Sequence, residues 1–169
     1  KWLNFENDWS VGSDEMKRSI DFTATGSEGD NHIYGAGRTG SVLDGKGGND
    51  VIYTGAYDDV ILFGRGYGHD IVKSSKNNYT DSVRLVGLNQ EDVTLRAVLN
   101  GASSYNLIIE IKDTGETLTL ENVLSPYSPP NMDELNFYMK DIRFADGTVL
   151  DKHGLKTSGL FDRSGTEYD

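Results

Sequence analysis

The sequence contains no cysteine and only three prolines among its 169 residues. Without cysteine the chain cannot form disulfides, thiolate metal sites or a catalytic thiol. It also has no apolar run that approaches the roughly 20 residues a transmembrane helix requires. We therefore expect a protein without a membrane span, whose fold is stabilised by something other than covalent cross-links.

Positive charge is also scarce, because 27 acidic residues outnumber 16 basic ones and give a formal net charge of −11. A nucleic-acid binder needs a basic face, and anionic membranes attract basic segments. The composition therefore argues against both partners. The acidic excess itself has two interpretations that composition leaves open, namely solubility and the binding of a divalent cation.

Motifs that carry catalysis are missing as well. The sequence has no Gly-x-Ser-x-Gly elbow, no phosphate-binding loop and no pair of histidines at metal-binding spacing. Its three histidines are isolated, and its clustered carboxylates fall within a repeat, so no glycosidase pair stands out. We expect that the chain is not an enzyme.

Glycine, by contrast, is abundant, with 20 residues that lie mostly between positions 26 and 68. Glycine loses more backbone entropy on folding than any other residue, so this density indicates tight turns. Within the region a unit of nine residues repeats, most clearly in Gly45–Tyr53 and Thr54–Leu62. Each unit has a turn-forming first half, an aspartate at its sixth position and an isoleucine at its eighth.

Two further copies fit the same frame. Gly26–Tyr34 has Asn31 at its sixth position, and Arg65–Lys73 has Asp70 there after a two-residue insertion. A turn-prone half followed by β-prone residues predicts half a coil of a parallel solenoid, so that two repeats complete one coil. The side chains at the eighth position should point inward and form a thin core. They are Ile33, Leu43, Ile52, Ile61 and Val72.

The segment Gly35–Asp44 is a degenerate copy that is one residue longer. Either Gly40 or Ser41 takes the place of the aspartate, and either Val42 or Leu43 is its apolar residue. One buried aliphatic residue contributes roughly 1.5–3 kcal/mol, whereas ordering nine residues costs on the order of 10 kcal/mol. The repeats therefore need a stabilising contribution other than hydrophobic burial.

Carboxylates at the sixth position offer that contribution. Successive coils stack about 4.8 Å apart, so alternate repeats bring Asp or Asn side chains and loop carbonyls around one point. Such an all-oxygen cage suits Ca²⁺, which takes six to eight oxygen ligands, better than Mg²⁺. Stacking on the same side predicts three pairs, which are Asn31 with Asp50, Asp50 with Asp70, and Ser41 with Asp59.

The repeat resembles the haemolysin-type, or RTX, calcium-binding nonapeptide Gly-Gly-x-Gly-x-Asp-x-U-x, in which U is a large aliphatic residue. The resemblance implies about two or three Ca²⁺ ions, fewer than in a perfect array, because some positions depart from the pattern. Side-chain ligands would be Asn31, Asp50, Asp59 and Asp70. Carbonyl ligands would come from Ser27, Gly29, Gly45, Lys46, Gly47, Gly48, Gly55, Tyr57, Gly66 and Gly68.

From residue 81 onward the glycine signal ends, and alternating apolar residues predict strands. The strands are Asp81–Val86, Asp92–Val98, Asn106–Ile111 and Glu116–Leu120, followed by a hairpin of Asp141–Phe144 and Thr148–Leu150. Gly66–Ile71 and Ile142–Val149 carry a resemblance to the haemolysin-type calcium-binding related domain, a β-rich unit that follows such repeats. Its expected role is to cover the unpaired strand edges at the end of the solenoid.

The predicted fold is all-β, a short parallel β-roll that binds Ca²⁺ and is capped by an antiparallel β domain. We expect an N-terminal capping segment with helical and aromatic character at residues 1–24, the roll at 25–73 and the cap at 74–151. Residues 152–169 form a tail or begin a further repeat block. Trp2 and Trp9 either cover the edge of the roll or contact a partner or sugar.

The resemblance implies a calcium-binding module of a larger secreted bacterial protein, such as a toxin, an adhesin or an exoenzyme. Such a chain would be exported by a type I secretion system, would fold on binding calcium, and would reside outside the cell or on the bacterial surface. Neighbouring repeat blocks in the same chain are further expected partners. The alternative is an adhesin module that binds a glycan or a protein and uses calcium as structural support.

Overall fold

A computed structural model describes residues 22–74, 81–101, 104–126, 135–157 and 161–162, so Trp2 and Trp9 lie outside the described residues. β-Strands dominate these ranges, which confirms the prediction of a mainly β architecture. Six strands lie in or just before the repeat region, and the first falls mostly within residues 1–24, where a helical and aromatic segment was expected. They are β1 Phe22–Thr25, β2 His32–Tyr34, β3 Ser41–Asp44, β4 Val51–Tyr53, β5 Val60–Gly64 and β6 His69–Lys73.

Eight further strands follow. They are β7 Ser82–Val86, β8 Val93–Leu99, β9 Tyr105–Ile111, β10 Thr117–Pro126, β11 Leu135–Phe137, β12 Asp141–Arg143, β13 Val149–Leu150 and β14 Phe161–Asp162. A 3-10 turn, Gln90–Asp92, precedes β8, and helix α1, Lys152–Thr157, follows β13. All strands predicted after the repeats are found, whereas β11, α1 and β14 were not predicted. Within the described ranges, neither helix is long and apolar enough to span a bilayer.

The strands of the repeat region alternate between two sheets. The first sheet has the order β1-β3-β5-β7-β12-β13, and the second has the order β14-β8-β9-β10-β6-β4-β2, with β11 joined to β10. Within the repeats β1, β3 and β5 pair in parallel, as do β2, β4 and β6. Residues two repeats apart thereby become neighbours, as Ile33 and Ile52 do.

Both sheets contribute to one buried cluster. All five side chains at the eighth position belong to it, and none is more than 6% exposed, which confirms their predicted burial. In the degenerate repeat Leu43 is fully buried and takes this position, whereas its neighbour Val42 is only partly buried. The cluster continues into the C-terminal strands through residues such as Ile109 and Leu118.

The C-terminal strands extend both sheets of the repeat region. Strand β7 pairs in parallel with β5 and with β12, and β10 pairs in parallel with β6, while β8, β9 and β10 form an antiparallel meander. The cap is thus mixed where the sequence analysis expected an antiparallel one. Where the parallel pairing continues into β7, Asp81, which precedes this strand, accepts a hydrogen bond from the N–H of Asp59.

Candidate metal centre

Residues at the sixth position of the repeats form a ladder of hydrogen bonds beside the second sheet. The N–H of Asn31 donates to Oδ1 of Asp50 at 2.7 Å, and the N–H of Asp50 donates to Oδ1 of Asp70 at 2.8 Å. The partners are 19 and 20 residues apart, which is close to the length of two repeats. Each carboxylate therefore reaches the neighbouring strand of the same sheet, and we call these three residues the first ladder.

A second ladder lies beside the first sheet. The N–H of Ser41 donates to Oδ1 of Asp59 at 2.7 Å, and the N–H of Asp59 donates to Oδ1 of Asp81 at 3.0 Å. Oδ2 of Asp59 accepts the N–H of Gly55 at 2.6 Å. Oδ2 of Asp81 accepts the hydroxyl of Ser74 at 3.4 Å. The protein itself thus provides hydrogen bonds for both carboxylates of the second ladder.

Residues at the fifth position link neighbouring loops in the opposite direction. The N–H of Asn49 donates to Oδ1 of Asp30 at 2.8 Å, and the N–H of His69 donates to Oδ1 of Asn49 at 2.9 Å. The fifth residue therefore donates to the preceding loop, whereas the sixth residue donates to the following one. Adjacent loops of the first ladder are therefore held in register by two sets of hydrogen bonds, one donated to the preceding loop and one donated to the following loop.

Two loops of the first ladder share a backbone conformation, and we call them the 45–50 loop and the 65–70 loop. Lys46 and Gly48 have φ values of 64° and 117°, and Gly66 and Gly68, at the same positions two repeats later, have values of 86° and 83°. Positive φ favours glycine. Alternation of this kind brings successive backbone N–H groups together, the arrangement of an anion-binding nest.

Two carboxylate oxygens of these loops accept no hydrogen bond from the described residues. Oδ2 of Asp50 and Oδ2 of Asp70 are shielded from solvent, and neither meets a hydrogen-bond donor within the described part of the chain. An unpaired buried polar atom costs about 1–3 kcal/mol and is rare in native proteins. Asp50 also lies so close to Gly45 that a Cβ at this glycine would overlap its carboxylate. The glycine therefore leaves the space that the carboxylate occupies.

Burial makes negative charge unfavourable at all four aspartates of the two ladders. It raises the pKa of Asp70 to about 7, and the charges of Asp50 and Glu116 act in the same direction. Burial likewise raises the pKa of Asp81 to about 6 and, against opposing hydrogen bonds, the pKa of Asp50 and of Asp59. A cation beside an ionised carboxylate would offset this unfavourable burial of charge.

The donors in this region are carboxylate and peptide oxygens, which suit a hard cation such as Ca²⁺. Among the described residues, no group of three or more His, Cys, Asp or Glu side chains is arranged to hold a metal by itself. A complete coordination sphere therefore requires the loop carbonyls as well. Asp50 and Asp70 meet the first part of this requirement, because each has a shielded oxygen for which no described residue supplies a donor.

The other predicted ligands differ in their surroundings. Oδ1 of Asn31 accepts the N–H and the hydroxyl of Ser27 at 2.5 and 3.1 Å, so this amide is engaged within its own loop. Gly29 and Tyr57 are exposed. Gly55 and Tyr57 are not among the described residues with positive φ, so their loop differs from the two above. The ligand roles of these residues and of Asp59 stay predictions.

Two residues beside the predicted site were not predicted from the sequence. Asp81 follows Asp59 by 22 residues, an interval longer than two repeats, so the nine-residue period does not include it. An aspartate directly before a strand of alternating residues is a signal that could have indicated it. Glu116 contacts the 65–70 loop from 50 residues away and carries no signal in the repeat pattern.

Residues 106–153 match the family model of the haemolysin-type calcium binding protein related domain. The matched segment begins in β9 and ends in the first turn of α1. The resemblance proposed for this part of the chain is therefore confirmed, whereas the match does not extend to the nonapeptide repeats. None of the curated proteins matches the chain.

Proposed function

We propose that residues 25–73 form a calcium-binding β-roll with a cation site between the 45–50 and 65–70 loops. Strands that alternate between two sheets and pair in parallel, two repeats apart, support a roll. The family match over residues 106–153 supports calcium as the ion. The proposed role is to bind calcium and fold around it, with no catalytic residue in the chain.

The pair of unpaired oxygens on Asp50 and Asp70 is the observation that carries this proposal. Two shielded carboxylate oxygens without donors are unfavourable in the metal-free chain, and they lie on neighbouring loops with the same backbone conformation. Calcium would supply the missing partner for both. Backbone carbonyls of the two glycine-rich loops would complete the all-oxygen ligand set.

This hydrogen-bond pattern ranks the three predicted pairs. The site between Asp50 and Asp70 has two unpaired oxygens, whereas the pair of Asn31 with Asp50 has only one. In the pair of Ser41 with Asp59, both carboxylate oxygens already accept N–H groups. We therefore propose that the Asp50–Asp70 site has the highest calcium affinity.

Calcium binding would be coupled to folding. The chain carries a formal net charge of −11, and each Ca²⁺ neutralises two of these charges. A ligand that binds only the folded state stabilises that state by RT ln(1 + [L]/Kd). From the resemblance of the repeats we further propose that the module belongs to a larger secreted bacterial protein, is exported by a type I system and folds outside the cell.

A calcium titration of chelator-treated protein, followed by far-UV circular dichroism, tests this function. We expect a cooperative gain of β signal with calcium and none with magnesium. Asp50→Asn and Asp70→Asn should shift the midpoint to higher calcium, because each removes one charge and one unpaired oxygen. Asp58→Asn, at an exposed aspartate, is the matched control and should leave the midpoint unchanged. A chain that is fully folded in chelator and indifferent to calcium contradicts the proposal.

Binding of a glycan is a second candidate function, favoured by one exposed surface. The rings of Tyr34 and Tyr53 stack with centroids 4.8 Å apart and planes 4° apart, and Nζ of Lys73 lies 6.0 Å from the Tyr53 ring. Tyr34 is 59% exposed. Amphipathic aromatic rings beside a polar group are suited to recognition. A glycan array tests this candidate, which requires a signal that Tyr34→Ala abolishes.

A further inference from the structure

Glu116, which immediately precedes β10, binds backbone N–H groups of the 65–70 loop. Its Oε1 accepts the N–H of Gly66 at 2.9 Å and that of Gly68 at 3.0 Å, and its Oε2 lies 3.1 Å from the Gly66 nitrogen. The hydroxyl of Thr114 donates to Oε2 at 2.7 Å and holds the carboxylate in place. N–H groups that converge on one carboxylate in this way form an anion-binding nest.

Burial acts to raise the pKa of the Glu116 carboxyl, but hydrogen bonds from Thr114, Gly66 and Gly68 outweigh the effect of burial, so that this pKa is lowered.

Strand β10 occupies the place in the second sheet that a further repeat would take. It pairs in parallel with β6, with Thr117 beside His69 and Leu118 beside Asp70. Because the side chain of Leu118 cannot accept a hydrogen bond, the first ladder ends at Asp70. Glu116 instead binds the last loop through the backbone of Gly66 and Gly68.

The contact with Glu116 also sets the direction of two carbonyl groups. In a trans peptide unit the N–H and the C=O point in opposite directions. Since the N–H groups of Gly66 and Gly68 point at Glu116, the carbonyls of Arg65 and Tyr67 point away from it. The 65–70 loop also turns a carbonyl oxygen toward the preceding loop of the first ladder, because the oxygen of Gly66 lies 3.1 Å from the position that a Cβ at Gly47 would take.

Arg65 connects the same loop to the C-terminal strands a second time. Its guanidinium lies 3.0 Å from the carboxylate of Asp92 and 2.9 Å from that of Asp113, and it donates to the carbonyl of Gly87 at 3.2 Å. Exposed ion pairs of this kind contribute little to stability by themselves. Together with Glu116 they tether the 65–70 loop to residues that follow the repeats.

We infer that Glu116 is a positioning residue for the cation site between Asp50 and Asp70. It fixes the 65–70 loop in the conformation that turns a carbonyl oxygen toward the preceding loop, and so makes calcium affinity in the repeats depend on the C-terminal unit. The inference rests on the proposed function, because it requires that calcium binds between these loops. Glu116 acts here through the loop backbone and is not itself a ligand.

Isothermal titration of the full chain with calcium tests this role in the variant Glu116→Ala. We expect an affinity about tenfold weaker than that of the wild type, in line with the effect of removing partners that orient metal ligands. Glu121→Ala is the matched control, since it removes the same charge from β10, the strand that Glu116 immediately precedes, and should keep wild-type affinity.

Thermal unfolding separates positioning from a purely structural role. For Glu116→Ala we expect a smaller calcium-induced rise in Tm than for the wild type, because the rise reports calcium affinity for the folded state. An equal fall of Tm in chelator and in calcium, with unchanged calcium affinity, would overturn the inference. A wild type that binds no calcium overturns the proposed function, whereas loss of binding in Asp70→Asn but not in Glu116→Ala overturns this inference alone.

Two further variants keep the test decisive if Glu116→Ala does not fold. Glu116→Gln keeps one acceptor oxygen for the Gly66 and Gly68 N–H groups, and we expect a loss of calcium affinity of about threefold. In the background of Asp70→Asn, Glu116→Gln should add no further loss, since both changes act on one site. Additive losses in this double-mutant cycle would contradict a shared site.

Discussion

The N–H of Asp50 donates to Oδ1 of Asp70 at 2.8 Å, while Oδ2 of each residue is shielded from solvent and unpaired within the described part of the chain. One oxygen of Asp70 thus links two neighbouring loops, and the other accepts no hydrogen bond from the described residues. In the second ladder both oxygens of Asp59 accept N–H groups instead. The two ladders share a repeat pattern but differ in whether both oxygens of an aspartate accept hydrogen bonds.

The metal-free protein should lose stability as the pH rises from about 4 to about 7. Asp70 has a pKa of about 7 and Asp81 a pKa of about 6 in the folded state, against 3.8 for an ordinary aspartate. In this interval the folded state holds more protons than the unfolded state, so the free energy of unfolding falls with rising pH. For Asp70 the loss is on the order of 2–4 kcal/mol.

Urea unfolding in chelator at about pH 5 and about pH 7.5 measures this dependence. With saturating calcium the trend should reverse, because calcium binds the ionised carboxylates. Asp81→Asn should reduce the metal-free dependence below about pH 6 and leave the part that Asp70 contributes. Greater stability of the metal-free wild type at the higher pH would disprove the prediction.

Replacing Gly45 should weaken calcium binding. A Cβ at this position would overlap the carboxylate of Asp50, so Gly45→Ala must displace the unpaired oxygen. We expect calcium affinity to fall about tenfold, measured by calorimetric titration. Gly37→Ala is the control, since an added Cβ there has no atom within 4 Å, and its affinity should equal that of the wild type. Equal affinities for both variants would rule out this arrangement of the site.

Removing Asp81 should destabilise the fold without weakening the calcium site. Asp81 is 1% exposed and accepts the N–H of Asp59, so Asp81→Ala leaves a buried donor without its acceptor. The expected loss in the free energy of unfolding is about 2–3 kcal/mol, measured with denaturant in saturating calcium. Asp58→Ala, an exposed neighbour, should change it by less than about 0.5 kcal/mol. A large loss of calcium affinity in Asp81→Ala would place this residue at the metal site instead.

Shortening one buried side chain of the repeats should lower the free energy of unfolding strongly, although each repeat contributes only one such residue. Ile52 is fully buried between residues of the shared cluster, so Ile52→Ala should lower the free energy of unfolding by about 2–5 kcal/mol. Val98→Ala, at a residue that is 39% exposed, is the control and should have a minor effect. If both variants lower the free energy of unfolding by the same amount, the repeat core does not unfold cooperatively with the rest of the protein.

The nine-residue period predicts the repeat region well because each of its features is local. A turn-forming half, an aspartate and an aliphatic residue recur at fixed positions, so the strands, the burial of Ile33 or Ile61 and the partners along the first ladder follow from spacing alone. Strands after the repeats were also predicted, since their alternation is again a local pattern. Their parallel pairing with the repeats was not, because alternation does not reveal a strand's partner.

Amino-acid sequence alone therefore determined the β architecture, the inward face of each repeat and the set of carboxylates that stand near one another. Tertiary structure decided which carboxylate oxygens accept hydrogen bonds and which are shielded without a partner among the described residues. It also decided that Asp81 and Glu116 belong beside the ladders, through contacts that bridge 22 and 50 residues. Such contacts depend on how the C-terminal strands extend the two sheets, and this pairing has no period that the sequence displays.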